Sequence, residues 1–394
     1  MAISKKMESA IENSSLIRKM FEEGDRRKKE FGDENVFDFS IGNPVFEPPP
    51  EVTKQLIQLL QADEKGTHRY MPNPGYPHVR EYIAGQLQKE TSLPFTLNDM
   101  IMTVGAGGAL NVILKALLDP GEEIIVFNPY FLEYNAYIDN HGGVPKSVNT
   151  TSEFQIDIDA LSKALSPSVK AVLINSPNNP TGVIYSAENL KAVGDLLREK
   201  SKEFGTVISL VSDEPYKNIF YEDSVPSIFN CYENSLVATS YSKDLAVPGE
   251  RIGYIAISPN HSDRALLQDA TALALRILGF VNAPALMQRM LPMVGSTWVD
   301  LEPYRKNRDI LYGHLTKLGF SCVKPGGAFY LFPKSPIEDE KVFVEAAQQL
   351  NLLLVPGSGF GLPGYFRISY CFETDTIERS LPLFTKLAES FQMI

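Results

Sequence analysis

Ile101-Met102-Thr103-Val104-Gly105-Ala106-Gly107-Gly108 joins an unbroken apolar run to a glycine turn, and a helical pattern then continues to residue 118. A short apolar run of this kind reads as a strand buried on both faces. Glycines between a strand and a helix let bare backbone N–H groups face an anion at the helix N-terminus. An ordinary tight turn would use the same residues. Pro120-Gly121 ends the helix, and residues 123–127 read as the next strand. Residues 131–141 follow as a helix, 170–175 as a strand, 187–204 as a helix and 207–212 as a strand. Two further strands fall at 236–239 and 252–257. Apolar strands separated by amphipathic helices predict an α/β fold with a mostly parallel sheet covered on both faces. Such a sheet gathers its ligands beyond the carboxyl ends of its strands.

The flanks read differently. Beyond residue 285 come a long helical stretch at 298–318, a strand-like segment at 328–333 and a helix at 340–350. Strands at 352–355 and 366–371 and a last helix complete an α+β pattern. At the other end, residues 4–31 form one charged amphipathic helix by pattern. Its cluster Arg26-Arg27-Lys28-Lys29 is offset by Glu22, Glu23, Asp25 and Glu30, which describes a solvated face. Ile41-Gly42-Asn43-Pro44 and Pro48-Pro49-Pro50 break the chain after it. The expected division is an N-terminal helix and arm (1–45), a large domain (46–284) and a small domain (285–394).

Composition narrows the function. The 394 residues carry a formal net charge of −11, which argues against a nucleic-acid partner. No apolar run reaches membrane-spanning length, and no signal-peptide core opens the chain. Cys231, Cys322 and Cys371 are odd in number and far apart, and the five histidines show no ligand spacing. Neither a disulfide framework nor a metal site is expected, and a reducing, cytoplasmic setting fits.

Three more features follow predicted strands. Asn175-Ser176-Pro177-Asn178-Asn179-Pro180-Thr181-Gly182 is a stiff loop whose amides offer donors and acceptors, or simply a turn. Ser212-Asp213-Glu214-Pro215-Tyr216 ends a buried strand on an acid, which needs a cation there unless it caps a helix. Tyr216 is either a phenol donor or packing. Thr239-Ser240-Tyr241-Ser242-Lys243 places an amine among hydroxyls, with Arg251 eight residues on. Arg251 is a surface charge or a bidentate phosphate fork. An amine, small hydroxyls and a fixed cation together suit a covalently held, phosphate-bearing aldehyde.

The order and spacing of these features resemble the class I and II aminotransferases, pyridoxal-phosphate enzymes of fold type I. The resemblance runs from Ile41-Gly42-Asn43-Pro44 to Phe366-Arg367-Ile368-Ser369, with Asn179-Pro180-Thr181-Gly182 and Ser240-x-x-Lys243 its most specific parts. It implies a seven-stranded sheet between helices, with a smaller α+β domain built from both termini. Lys243 would then carry the aldehyde of pyridoxal 5'-phosphate covalently and act as the proton shuttle. Asp213 would pair with the ring nitrogen, Tyr216 and Asn179 would bond the ring oxygen, and Phe131 would stack on the ring. Backbone of Gly105, Ala106 and Gly107, with Ser240 and Arg251, would hold the phosphate. Arg367 would clamp the substrate carboxylate, helped by Asn179 and the Gly42 backbone. Tyr70 would reach a neighbouring subunit's phosphate, implying a homodimer with shared sites.

The implied reaction moves an amino group from an L-amino acid to a 2-oxo acid, with 2-oxoglutarate the expected acceptor and a ping-pong order. Lyases, decarboxylating enzymes and aminocyclopropane-carboxylate synthases of the same family use the same lysine and aspartate. Some regulators fuse a similar domain to a DNA-binding winged helix, but only about 40 residues precede Gly42 here. A prokaryotic aspartate-specific branch carries a lysine where this chain has Gly107, so aspartate specificity lacks its marker. Arg69 and Arg276 are other cations able to meet a dicarboxylate.

Overall fold

A computed structural model describes residues 2–12, 16–62, 64–222 and 224–394. The first strand, β1 (Phe37–Asp38), lies outside the central sheet. That sheet contains β2 (Met100–Thr103), β3 (Glu123–Asn128), β4 (Val144–Asn149), β5 (Val169–Asn175), β6 (Ser209–Asp213), β7 (Ser235–Ser240) and β8 (Gly253–Ile257). Their order is β2-β8-β7-β6-β5-β3-β4. Only β8 runs antiparallel to its neighbours, so the mostly parallel seven-stranded sheet is as expected.

Alternation along each strand feeds two cores. Met100, Met102, Ile125, Phe127, Val172 and Ile174 pack on one face. Ile101, Ile124, Val126, Ala171 and Leu173 pack on the other. Successive side chains point to opposite faces, so a strand covered on both must be apolar throughout. β4 departs from that rule because it is an edge. Pro145 and Lys146 lie in it, and only Val148 is buried. Proline and lysine are the residues edge strands tolerate, and they hid this strand from the sequence pattern.

The sheet's carboxyl edge is where the four sequence features converge. Asn175 ends β5, Asp213 ends β6 and Ser240 ends β7. The helix Gly105–Leu117 starts two residues after β2.

The remaining strands are β9 (Tyr330–Leu331), β10 (Leu352–Leu353), β11 (Val355–Pro356) and β12 (Phe366–Ser369). β12 lies between β11 and β9, antiparallel to both. β10 pairs in parallel with β1, Phe37 opposite Leu352. Phe37 and Phe39 share a core with Phe343, Leu352, Phe366 and Phe384. Both ends of the chain therefore build one α+β region.

Several boundaries differ from the sequence reading. Of the helix read over residues 4–31, Lys5–Glu12 and Leu16–Phe31 are helical, and residues 13–15 lie outside the described residues. The helix read from 298 begins at Glu302, whose N–H bonds the Asp300 carboxylate at 3.0 Å. The helix read from 131 is Glu133–Asn140, which leaves Phe131 in the preceding turn. The strand read at 352–355 is two strands, because β10 and β11 pair with different partners. The helices Pro50–Ala62, Pro77–Thr91, Ile158–Ala164, Arg264–Ile277 and Ala285–Val294 had not been expected. Among the described residues, no helix is long and apolar enough to cross a membrane, and no group of three or more His, Cys, Asp or Glu is placed to hold a metal ion.

Candidate active site

A cleft of about 520 Å³ opens over the carboxyl edge of the sheet. Lys243, Asp213, Tyr216, Asn179 and Arg367 line it, together with Gly42, Ala106, Gly107, Phe131 and Arg251. Residues spread over 300 positions of sequence thus share one space.

Lys243 follows β7 by three residues and is half-buried. Its Nζ donates to the Gly42 carbonyl oxygen at 2.7 Å. Burial lowers its pKa to about 8, against the raising effect of Cys371, and the positive charges of Arg251 and Arg367 lower it further. A lysine in this state can present a neutral amine near physiological pH.

Asp213 is buried at the end of β6. Its Oδ2 accepts a 2.5 Å hydrogen bond from the Tyr134 hydroxyl, while its Oδ1 is buried with no partner. Burial pushes the carboxyl up to about 7, partly offset by the Tyr134 bond. A buried carboxylate oxygen without a donor is costly unless a cationic N–H meets it there.

The glycine turn makes a cradle. A Cβ on residue 105 would lie 2.6 Å from Arg251 Nη2, and Gly105 has φ +70°. Arg251 holds its fork in place through a 2.9 Å bond from Nη1 to the Pro248 carbonyl. The guanidinium and the helix N-terminus Gly105–Leu117 therefore meet at one spot, which suits an anion such as a phosphate ester. Ser240, expected beside that spot, ends β7. Its Oγ bonds Ser242 Oγ at 3.1 Å, and it lines a separate cavity behind β7.

Arg367 rises from β12 into the cleft. Nη1 bonds Asn179 Oδ1 at 2.9 Å and Nη2 bonds the Ser40 carbonyl at 2.5 Å. The guanidinium is held between the Tyr330 and Phe360 rings, 4.6 and 4.8 Å from their centroids. Its Nε is buried without a partner, and burial lowers its pKa. Among the described residues no carboxylate forms an ion pair with it. A cation so placed is prepared for an incoming carboxylate.

The asparagine-rich loop fastens itself. Asn175 Nδ2 donates to the Asp213 carbonyl at 2.8 Å, and its Oδ1 accepts from the Asn179 N–H at 2.7 Å. Asn178 Oδ1 accepts from Thr181 N–H and Oγ1 at 3.1 and 2.9 Å. Asn179 is thereby free to face Arg367. The Tyr216 and Tyr330 hydroxyls lie 2.8 Å apart, and burial raises both phenols. A Cβ on residue 42 would lie 2.0 Å from Tyr330 Oη, so only glycine fits there. Tyr70, expected to serve a neighbour, is 90% exposed and outside its own chain's cleft.

Six cleft residues had escaped the sequence reading: Ser40, Leu110, Glu133, Tyr134, Tyr137 and Tyr330. Tyr134 and Tyr137 follow Phe131 at helical spacing, so a signal existed in the helix itself. Glu133 was visible as a lone charge in the aromatic run Tyr130-Phe131-Leu132-Glu133-Tyr134. Tyr330 gave none.

Fold and cleft together describe a site able to take an anion at the helix N-terminus and a carboxylate at Arg367. The sequence profile described as Aminotransferase class I and II matches residues 34–381, so the chain belongs to that family and is an aminotransferase. It is 34% identical over 357 residues to the probable aspartate/prephenate aminotransferase of Thermus aquaticus, covering 88% of this chain and 90% of that one. An amino transferase structure from Eubacterium rectale superposes with a TM-score of 0.96 at 39% identity, covering 99% of each chain. The alanine aminotransferase structure from Pyrococcus furiosus gives 0.87 at 27% identity, covering 98% of this chain and 100% of that one.

Proposed function

We propose that this aminotransferase works with pyridoxal 5'-phosphate bound in the cleft, taking an amino group from an L-amino acid and giving it to a 2-oxo acid in ping-pong order. The observation that carries the reading is the pairing of an easily deprotonated Lys243 amine with the buried, unpartnered Asp213 Oδ1. Bound there, the cofactor supplies an electron sink for the carbanion left when an amino acid loses its α-proton. Lys243 holds the cofactor aldehyde and, once freed by substrate, moves the proton at the substrate α-carbon. Asp213 Oδ1 receives the ring N–H, and the Tyr134 bond keeps the carboxylate turned towards it. Arg251, Ser240 and the turn Gly105, Ala106 and Gly107 would hold the phosphate. Phe131 covers the ring, and Tyr216 and Asn179 address the ring oxygen. Arg367 takes the substrate carboxylate beside Asn179 and Gly42. That contact fixes the α-carbon so that its C–H bond can stand across the ring.

The relatives' names point to aspartate or prephenate for those proteins. Here residue 107 is glycine, its Cβ position 3.3 Å from the Tyr137 hydroxyl, so no lysine reads a second carboxylate from that turn. 2-Oxoglutarate is the first acceptor to test. The near-complete exposure of Tyr70 supports a homodimer in which each subunit completes the other's phosphate site. A cytoplasmic setting and a division at 45 and 284 belong to the same reading.

The deciding experiment is a spectral screen. Purified protein given pyridoxal 5'-phosphate should develop a visible band, and at least one amino acid should bleach it while a 2-oxo acid restores it. A band that no amino acid bleaches would sink the transaminase assignment. Two expectations follow from the geometry. The rate at which protein without cofactor captures the aldehyde should rise with pH and level off above about 8. Only the neutral amine attacks, and Lys243 is protonated below that value. A rate flat from pH 6 to 9 would count against Lys243 as the nucleophile. Arg367→Ala should raise KM for every amino and 2-oxo acid by roughly 10²–10³-fold, the scale of two charge-assisted hydrogen bonds. Equal KM values in variant and parent would remove Arg367 from the carboxylate site.

A further inference from the structure

Glu133 is the first residue of the helix Glu133–Asn140 and lies in the cleft wall. Its Oε2 is buried and has no hydrogen-bond partner. Neither Lys243, Arg251 nor Arg367 forms an ion pair with it. Arg367 acts on it only at longer range, across the cleft, and Tyr137 lies close enough to feel its charge. A solvated helix-start glutamate would turn its carboxylate to water; this one turns inward.

The charges of the working site balance without it. Arg367 is matched by the substrate α-carboxylate, Arg251 and the helix N-terminus by phosphate, and Asp213 by the ring nitrogen. Glu133 is left over, in the wall of the same cleft that Arg367 and Lys243 line. Resting on the aminotransferase reading above, we propose that Glu133 is a specificity determinant that selects substrates whose side chain ends in a hydrogen-bond-donating nitrogen and disfavours those ending in a second carboxylate. An amide, ammonium or guanidinium would satisfy Oε2. A carboxylate would add a like charge beside it in a poorly hydrated wall. Burial also raises the Glu133 carboxyl pKa, against the lowering effects of its own backbone N–H and of Arg367.

Succinate and succinamate test this directly, because they have the same shape and differ only in a terminal carboxylate or amide. Neither carries an α-amino group, so calorimetry reads binding without turnover. The wild-type holoenzyme should bind succinamate more tightly. In Glu133→Gln the preference should move towards succinate by about tenfold, the scale of removing one charge from a half-screened site. Glu133→Ala should move it the same way and serves if the glutamine variant folds poorly. A ratio unchanged within twofold in both variants would overturn the proposal. The aminotransferase reading fails separately, by absence of the visible band.

Discussion

Lys243→Ala should give a folded protein with no visible absorption band and a turnover reduced at least about 10⁴-fold, the upper range for loss of a positioned acid–base group. The fold should survive. The side chain contributes one hydrogen bond, to the Gly42 carbonyl, and removing it deletes an amine whose charged form burial opposes. The chemistry should not survive, because no other amine lines the cleft. Cofactor can still enter the phosphate cradle of Arg251 and Gly105, so dialysis should strip it where the parent retains it. A variant that keeps both the band and the turnover would move the covalent anchor elsewhere.

Asp213→Ala should lower kcat by about 10²–10³-fold or more, the range for losing one preorganised electrostatic partner, while cofactor affinity falls much less. Affinity rests largely on the phosphate cradle, which Asp213 does not touch. On the proposed reading rate would rest on keeping the ring nitrogen protonated, for which Oδ1, the unpartnered buried acceptor at the end of β6, is the proposed partner. Separate measurement of cofactor Kd and single-turnover rate distinguishes the two. If affinity collapsed and the single-turnover rate held, Asp213 would be a binding residue and nothing more.

The central sheet was legible because its strands are apolar on both sides, and its ends were marked by glycine, asparagine, aspartate and serine. β4 was not, since an edge strand has no need of that code. The helix Arg264–Ile277 was hidden by exposed Leu266, Leu273 and Ile277, which blur the apolar stripe. Lys243, Asp213 and Arg251 could be read locally because each sits within a few residues of a strand end. Arg367 was reached only through the family resemblance. Its partner, the Ser40 carbonyl, lies 327 residues away and carries no side-chain signal. Tyr330 likewise gains its role from a backbone that passes Gly42. Contacts of that kind exist only after the chain has closed on itself.

The pairing of β1 with β10 has a consequence for biosynthesis. A polypeptide ended at residue 300 would carry Lys243, Asp213 and Arg251, the residues proposed to hold the cofactor. It lacks β12 with Arg367, and β1 has no β10 to hold Ser40 and Gly42 in place. The groups proposed for the cofactor are therefore made before the strands that position the proposed carboxylate grip, and the last strands complete the site.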